Sequence, residues 1–132
     1  VAPLMIARGQ GGHIINVASI AGKEVYPNGN VYCATKHAAD ALSKAMRMDL
    51  LAHKIKVTNV APGLVETEFS VVRFKGDQNR ADNVYRGMQP LTGQDVADVI
   101  AYVASTPPHV TINDIVVMPT AQAASTQVLR EE

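Results

Sequence analysis

The sequence predicts an α/β domain in which helices flank three parallel strands. Three short segments, residues 13–18, 55–60 and 115–118, have the length and apolar content of buried strands. Longer segments with apolar residues at helical spacings separate them. Strands that are joined through helices in this way run parallel in one sheet. We therefore expect alternating helices and strands around a single sheet.

The chain is predicted to open on a helix end. Residues 1–7 have the pattern of the last turns of a helix, which Arg8 and Gly9 close. The glycine-rich segment Gly9-Gln10-Gly11-Gly12 comes before the first strand, whereas a dinucleotide-binding turn follows a strand. It therefore indicates a helix stop and a turn.

The longest helix is predicted over residues 31–53. A loop over residues 20–30, marked by Gly22 and Pro27-Asn28-Gly29, precedes it. The apolar surface of this helix is wider than a single stripe, so one side can cover the sheet while another meets a helix of a second subunit. We expect a homo-oligomer, either a dimer or a tetramer.

The second half of the chain is predicted to contain a turn, a lid, a capped helix and a tail. The second strand leads into a turn at residues 61–63, and residues 68–89 have the length and irregular pattern of a substrate lid. Residues 92–95 (Thr-Gly-Gln-Asp) are typical of a capping box before an amphipathic helix, which ends at residues 105–108. After the last strand, residues 121–132 are predicted to form a polar, partly mobile tail.

Composition narrows the classes of partner and compartment. The 132 residues include twelve basic and twelve acidic residues and carry no net charge. This balance argues against nucleic acid and against an anionic membrane as partners. The single Cys33 excludes an intramolecular disulfide and fits a reducing compartment, so we expect a cytoplasmic protein. No apolar segment approaches the ~20 residues of a membrane-spanning helix, and we expect no metal site.

Tyr32 and Lys36 form a candidate pair for proton transfer. They lie four residues apart in a predicted helix and therefore share one face, one turn from each other. A free tyrosine has a pKa of about 10, which is too high for efficient acid-base catalysis at neutral pH. An ammonium held nearby favours the phenolate form. The pair thus suits a general acid-base, with Lys36 tuning Tyr32.

Ser19 is predicted to join this pair. It follows the first strand directly, and ligands of open α/β sheets bind at the carboxyl ends of the strands. Its hydroxyl could hold a carbonyl oxygen against the phenol of Tyr32. The alternative is a tyrosine without function near the start of a helix, followed by an ordinary lysine one turn later.

Several motifs together resemble the C-terminal half of a short-chain dehydrogenase/reductase. They are Ser19, Asn30-Val31-Tyr32 with Lys36, and the loop Pro62-Gly63-Leu64-Val65-Glu66-Thr67. Within that superfamily, the match continues through Arg73, Phe74, Gly76-Asp77, Asn83-Val84-Tyr85 and Pro90-Leu91, and it is most similar to the NADP-dependent 3-hydroxy acid (serine-type) dehydrogenases. The resemblance implies the C-terminal half of a doubly wound parallel (Rossmann-like) sheet, as a single partial domain over residues 1–132 that lacks the N-terminal dinucleotide-binding half.

The resemblance also implies roles for individual residues. Ser19, Tyr32 and Lys36 would be catalytic, and Lys36 would hold the nicotinamide ribose of NADP. The cofactor-binding residues would be Tyr32, Lys36, Pro62, Gly63, Val65 and Thr67. For the substrate, Ser19 would orient the reacting oxygen. Arg73 is a candidate ligand of a substrate carboxylate because a guanidinium can bind it through two parallel hydrogen bonds; the alternative is a solvated surface arginine.

The function implied by this resemblance is NADP-dependent hydride transfer at the hydroxyl-bearing carbon of a small 3-hydroxy acid such as serine. NADP, in preference to NAD, is expected from the resemblance alone. Two alternatives stay open. The 132-residue chain could be a truncated fragment without catalytic activity that persists by self-association, or the scaffold could belong to a ketone or pterin carbonyl reductase.

Overall fold

The computed structural model describes residues 1–131 as one three-stranded sheet with helices packed around it. Single 3-10 turns lie at Ile20–Gly22 and Leu51–His53. The helices and strands in chain order are α1 (Ala2–Arg8), β1 (Gly12–Val17), α2 (Asn30–Asp49), β2 (Ile55–Pro62), α3 (Phe69–Arg73), α4 (Gln78–Tyr85), α5 (Gly93–Ala104) and β3 (Asp114–Val117).

The sheet confirms the predicted fold class. Its strand order is β1-β2-β3, and both pairings are parallel. In the register Val17 lies opposite Val60, and Pro62 lies opposite Val117. The central strand is two residues longer than predicted because β3 continues to pair with its end. Pro62, which has no N–H, is tolerated there since β1 has already ended.

The long helix is shorter than the sequence pattern indicated. It ends at Asp49, and the chain then tightens into the 3-10 turn Leu51–His53 before Lys54 reverses its direction with a φ of 55°. This tight turn keeps Leu50, which is buried, beside Ile55 at the start of β2. Both side chains belong to the apolar core, together with Val57 and parts of α1, β1 and α2. Burial of these side chains, more than helix propensity, sets the end of α2.

The segment expected as an irregular lid contains two short helices, α3 and α4. Phe74 to Asp77 joins them through Lys75 and Gly76, both in the left-handed region with φ of 55° and 89°. Asp77 then caps α4 by accepting a hydrogen bond from the Arg80 N–H at 3.1 Å. Helices this short give a weak periodic signal, which explains why the pattern of residues 68–89 looked irregular.

The capping box of α5 is confirmed, whereas the tail differs from the expectation. The Thr92 hydroxyl accepts a hydrogen bond from Asp95 N–H, and the Asp95 carboxylate accepts one from Thr92 N–H at 2.7 Å. The C-terminal segment, expected to be polar and partly mobile, folds back onto the domain through residue 131. Gln122 is buried, and the Glu131 N–H donates to the Gly87 carbonyl at 2.7 Å.

Residues 1–131 contain neither a candidate membrane span nor a candidate metal cluster. None of the helices there combines the length and hydropathy of a membrane span. In the same part of the chain, no group of three or more His, Cys, Asp or Glu side chains could hold a metal ion.

Candidate active site

The carboxyl ends of β1 and β2 bring Ser19 to the centre of the candidate site. The parallel pairing continues one residue past β1, since the Ala18 N–H donates to the Val60 carbonyl at 2.7 Å. Ser19 therefore emerges beside the end of β2. Its Oγ lies 3.5 Å from the carbonyl oxygen of Pro62, a long and weak contact from which the hydroxyl proton can easily turn away.

A 3-10 turn holds Ser19 in place. Its Oγ accepts a hydrogen bond from the Ala21 N–H at 3.1 Å and so caps the turn Ile20–Gly22. The turn packs directly on α2 because Gly22 has no side chain: a Cβ on Gly22 would lie 2.6 Å from the carbonyl oxygen of Lys36. The glycine three residues after Ser19 thus allows the close approach between the serine and the helix that carries Tyr32.

Helix α2 presents Tyr32 and Lys36 as the sequence predicted, one turn apart and both half-buried. The Lys36 Nζ lies 5.7 Å from the centroid of the Tyr32 ring and donates to the Val17 carbonyl at 3.4 Å. Partial burial lowers the pKa of Lys36 below that of an ordinary lysine because a desolvated ammonium loses hydration. A cation and a phenol ring therefore meet at the edge of the sheet.

The loop after β2 forms the opposite wall of the site. The Gly63 N–H donates to the Val117 carbonyl at 2.7 Å, and Leu64 N–H donates to the side-chain oxygen of Gln122 at 2.8 Å. Val65 makes an isolated parallel bridge with Leu91, in which Leu64 and Glu66 supply the two flanking hydrogen bonds. In such a bridge the N–H and C=O of Val65 itself face the other side. The peptide edge of Val65 is thereby turned away from Leu91.

These elements enclose a cavity of about 450 Å³. The predicted site residues that line it are Ser19, Tyr32, Pro62, Gly63, Val65, Thr67 and Arg73. Lys36 does not line it and lies behind the Tyr32 ring. Seven of the eight predicted site residues therefore share one cavity, although they come from three separate parts of the chain.

Helix α3 covers the cavity with an aromatic and a cationic side chain. The ring centroids of Phe69 and Tyr32 are 5.5 Å apart, with the planes inclined at 43°. The Arg73 guanidinium carbon lies 6.0 Å from the Tyr32 ring centroid. The Arg73 guanidinium therefore lies above the ring of Tyr32, the residue predicted from the sequence to transfer a proton.

Other residues that line the cavity were not predicted from the sequence. The most informative are Tyr26, Phe69, Ser70, Tyr85 and Gln122. Tyr85 lies in a segment that the resemblance covered, but only the structure shows what it does. Its hydroxyl donates to the Val65 carbonyl at 2.9 Å and lies 2.7 Å from Ser70 Oγ. Such contacts join positions 15 to 58 residues apart, so no local pattern could signal them.

Known proteins are similar to this chain in sequence and in fold. An NADP-dependent 3-hydroxy acid dehydrogenase of Schizosaccharomyces pombe is 44% identical over 132 residues, which cover 100% of this chain and 51% of that protein. A sulfoacetaldehyde reductase of Chromohalobacter salexigens is 47% identical over 123 residues, which cover 93% of this chain and 49% of that protein. The chain spans about half the length of the curated relatives it matches.

A solved structure gives the same picture. The closed form of serine dehydrogenase complexed with NADP+ matches with a TM-score of 0.89 and 41% sequence identity, over 98% of this chain and 52% of the other. Residues 1–78 also match the family described as short chain dehydrogenase, and this is more than half of the chain. The resemblance noted in the sequence is confirmed: the chain belongs to the short-chain dehydrogenase/reductase family.

Proposed function

We propose that the protein containing this chain is an NADP-dependent oxidoreductase, which transfers hydride at the hydroxyl-bearing carbon of a small 3-hydroxy acid such as serine. The observation that carries the proposal is the convergence of Ser19, Tyr32 and the loop after β2 on one cavity, with Lys36 behind the phenol. The names of the similar proteins, which include a 3-hydroxy acid dehydrogenase and a serine dehydrogenase, support the substrate class.

The donors around the cavity fit the nicotinamide end of a dinucleotide. A carboxamide needs a donor and an acceptor side by side. The peptide edge of Val65, turned away from Leu91, offers its N–H and the second lone pair of its carbonyl oxygen, which also accepts the Tyr85 hydroxyl at 2.9 Å. Thr67 contributes a hydroxyl to the same wall. Lys36 lies outside the cavity lining, with its Nζ 5.7 Å from the Tyr32 ring centroid, and would supply an ammonium for the ribose hydroxyls. Pro62 and Gly63 line the wall between these donors and Ser19. When bound, NADP would supply or accept the hydride.

Residues of this chain would carry out the proton transfer. We propose that Tyr32 exchanges a proton with the substrate oxygen, as general acid in reduction and as general base in oxidation. The Ser19 hydroxyl would turn from its long contact with Pro62 and donate to the same oxygen. The Lys36 ammonium, 5.7 Å from the Tyr32 ring centroid, would attract the negative charge that develops in the transition state of oxidation. Together these groups hold and move one proton at one substrate atom.

Arg73 is the proposed ligand for the carboxylate of the substrate. It lines the cavity from the lid, and its guanidinium carbon lies 6.0 Å from the Tyr32 ring centroid. A small 3-hydroxy acid needs a cation within a few bonds of the reacting carbon, and the planar guanidinium can pair with both carboxylate oxygens.

Two further parts of the proposal concern assembly. We propose that residues 1–132 form the C-terminal part of a longer dinucleotide-binding domain, because the curated relatives are about twice as long. We also propose a homo-oligomer in which α2 meets a second subunit, because Val31 and Leu42 on this helix are 72% and 58% exposed. Large apolar side chains at this level of exposure are typical of interfaces when they cluster.

The test compares two tyrosine variants of the protein that contains this chain. Tyr32→Phe should lower kcat for serine-dependent NADP reduction by at least about 100-fold, because proton transfer by a positioned side chain contributes about 10² to 10⁴. Tyr102→Phe is the matched control, since Tyr102 is 63% exposed on α5, and it should keep wild-type turnover. Wild-type turnover in Tyr32→Phe would refute the acid-base role. Turnover of neutral ketones without any turnover of 3-hydroxy acids would refute the substrate class.

A further inference from the structure

The guanidinium of Arg73 lies against three aromatic rings. Its central carbon is 5.6 Å from the ring centroid of Tyr26, 5.6 Å from that of Phe74 and 6.0 Å from that of Tyr32. All three distances fall within the range of cation–π contacts. Arg73 is otherwise an exposed side chain at the end of the five-residue helix α3, and a long side chain in that position would explore many rotamers. The rings restrict it to one region above the cavity.

Tyr26 is the ring that belongs to neither the lid nor the proton-transfer group. It opens a tight turn, Tyr26-Pro27-Asn28-Gly29, closed by a hydrogen bond from the Gly29 N–H to the Tyr26 carbonyl at 3.1 Å. Pro27 at the second position and Asn28 at the third, with a φ of 63°, are the residues that a type II turn favours. The turn therefore holds the backbone of Tyr26 in one conformation.

The ring of Tyr26 is held as firmly as its backbone. It packs on Gly29, which is buried: a Cβ there would lie 2.7 Å from Cδ2 of the ring. The Gly29 carbonyl in turn accepts the hydrogen bond of Cys33 N–H at 2.7 Å in the first turn of α2. Tyr26 is thus attached to the helix that carries Tyr32 and has a fixed orientation toward it.

The chemistry of the contact leaves the guanidinium available. Burial raises the pKa of Tyr26, and the charge of Arg73 together with a side-chain hydrogen bond from it only partly offsets this effect, so the phenol stays neutral. A neutral ring attracts the cation through its face without consuming its charge, whereas a carboxylate in that place would neutralise it. Of the five N–H donors of the guanidinium, those that do not contact the Tyr26 hydroxyl remain for a ligand in the cavity.

We propose that Tyr26 is a positioning residue that holds the Arg73 guanidinium over the cavity and thereby makes the site select anionic over neutral substrates. The inference rests on the proposed function, because it assigns to Tyr26 the placement of the carboxylate ligand. It goes further in naming what determines charge selectivity: a ring outside the lid, fixed by a turn, against which the lid arginine docks.

The test measures a selectivity ratio, which a merely structural role would not move. The ratio compares kcat/KM for 3-hydroxypropionate with kcat/KM for propane-1,3-diol, a neutral substrate of similar size. Tyr26→Leu should lower this ratio by about fivefold, mainly through a higher KM for the acid, because a cation–π contact at an exposed site is of that order. Tyr26→Phe keeps the ring face and should stay within about twofold of the wild-type ratio. Tyr102→Leu, at an exposed tyrosine, controls for general effects of the substitution.

Arg73→Gln separates failure of the inference from failure of the proposed function. If Arg73→Gln lowers the ratio and Tyr26→Leu does not, the positioning role of Tyr26 is wrong and the proposed function stands. If Tyr26→Leu lowers kcat/KM for both substrates equally, the ring is only structural and the inference is again wrong. If neither variant changes the ratio, Arg73 is not the carboxylate ligand and both statements about charge selection fail.

A binding measurement that needs no turnover completes the test. Malonate is an unreactive dicarboxylate probe, and calorimetry can follow its binding to the wild type, Tyr26→Leu and Tyr26→Phe. Tyr26→Leu should weaken malonate binding by about fivefold and Tyr26→Phe by less than about twofold. Equal affinity in all three proteins would overturn the inference. Urea denaturation followed by circular dichroism shows whether each variant is folded.

Discussion

Lys23 and Asp40 form a 2.6 Å ion pair behind the candidate site. Asp40 is 6% exposed, and its other oxygen lies 2.7 Å from the Nζ of Lys44. Lys23 in turn lies 2.6 Å from Oδ2 of Asp114 at the start of β3. These two ion pairs of Lys23 connect the turn that follows Ser19 to α2, through Asp40, and to the sheet, through Asp114. Because Asp40 lies one helical turn after Lys36, the pair connects the two parts of the chain that carry the catalytic candidates.

The first prediction is that Asp40→Asn destabilises the protein by about 3 kcal/mol. Breaking a buried ion pair leaves a charge without compensation, which costs about 3 to 5 kcal/mol, and Lys23 keeps Asp114 as a partner, so the lower end of the range is expected. Asp49→Asn on the same helix is the matched control, because Asp49 is exposed, and it should change the free energy of unfolding by less than about 0.5 kcal/mol. Urea denaturation measures both. Equal midpoints for the two variants would contradict the structural role of the pair.

The second prediction concerns acid stability. Burial alone raises the pKa of Asp40, but the hydrogen bonds and charges of Lys23 and Lys44 outweigh it and hold the pKa below its ordinary value. A carboxyl whose pKa is lowered on folding contributes stability in full above its unfolded pKa of about 3.9. That contribution is lost as the pH falls from there through the lower pKa of the folded state. The urea midpoint should therefore fall between about pH 5 and about pH 2. The fall should be smaller in Asp40→Asn, and an identical acid dependence in both proteins would contradict the assignment.

The third prediction concerns the loop after β2. Gln122 is 5% exposed; its Oε1 accepts from the Leu64 N–H at 2.8 Å, and its Nε2 donates to the Ala124 carbonyl at 3.2 Å. Gln122→Ala leaves these backbone groups without partners and should cost about 1 to 3 kcal/mol. The control is Gln127→Ala, since Gln127 is exposed. If the loop holds the cofactor, Gln122→Ala should also raise the KM for NADP.

Gly63 gives an independent check on the same contact. A Cβ on Gly63 would overlap Oε1 of Gln122 and lie 2.7 Å from Sδ of Met118. Gly63→Ala should therefore displace Gln122 and reproduce the loss seen in Gln122→Ala. Both changes remove the same hydrogen bond, from Leu64 N–H to Gln122 Oε1. The loss of stability in the double variant should therefore be clearly smaller than the sum of the losses in the two single variants. Strict additivity would show that Gly63 acts by another route.

The fourth prediction concerns helices α3 and α4. The Tyr85 hydroxyl makes hydrogen bonds with both the Val65 carbonyl and Ser70 on α3. Tyr85→Phe should leave the sheet intact but loosen the contact of α3 and α4 with the loop. The expected result is about tenfold faster amide hydrogen exchange in residues 69–85, which corresponds to a local loss of about 1.4 kcal/mol. Tyr102→Phe removes an exposed hydroxyl and should leave this exchange unchanged. Uniform acceleration across the whole chain would indicate global and not local destabilisation.

Local signals account for the parts that were predicted correctly. The apolar segments that became β1, β2 and β3, the helical spacing of α2 and the capping box at Thr92 each depend on residues within one or two turns of each other. The spacing of Tyr32 and Lys36 is of the same kind. For these features the chain's own covalent geometry and side-chain periodicity are sufficient.

Packing, capping and long-range contacts without a periodic pattern account for the parts that were missed. The end of α2 at Asp49 depends on the packing of Leu50 with Ile55. The short helices α3 and α4 are stabilised by the cap at Asp77 and by contacts with the loop after β2. Neither effect has a periodic signature. The buried Gln122, in a segment that looked like a polar tail, is held by Leu64 N–H at a separation of 58 residues.

The sequence by itself determined the parallel α/β architecture, the family and the candidate residues Ser19, Tyr32 and Lys36, because each is encoded in local pattern or in a motif of fixed spacing. Only the tertiary structure decided which side chains share the cavity. Arg73 meets Tyr26 there across a separation of 47 residues, because α3 packs over the start of α2. Contacts of that range depend on packing, whose free energy arises only when the whole domain excludes water, and no segment carries that information alone.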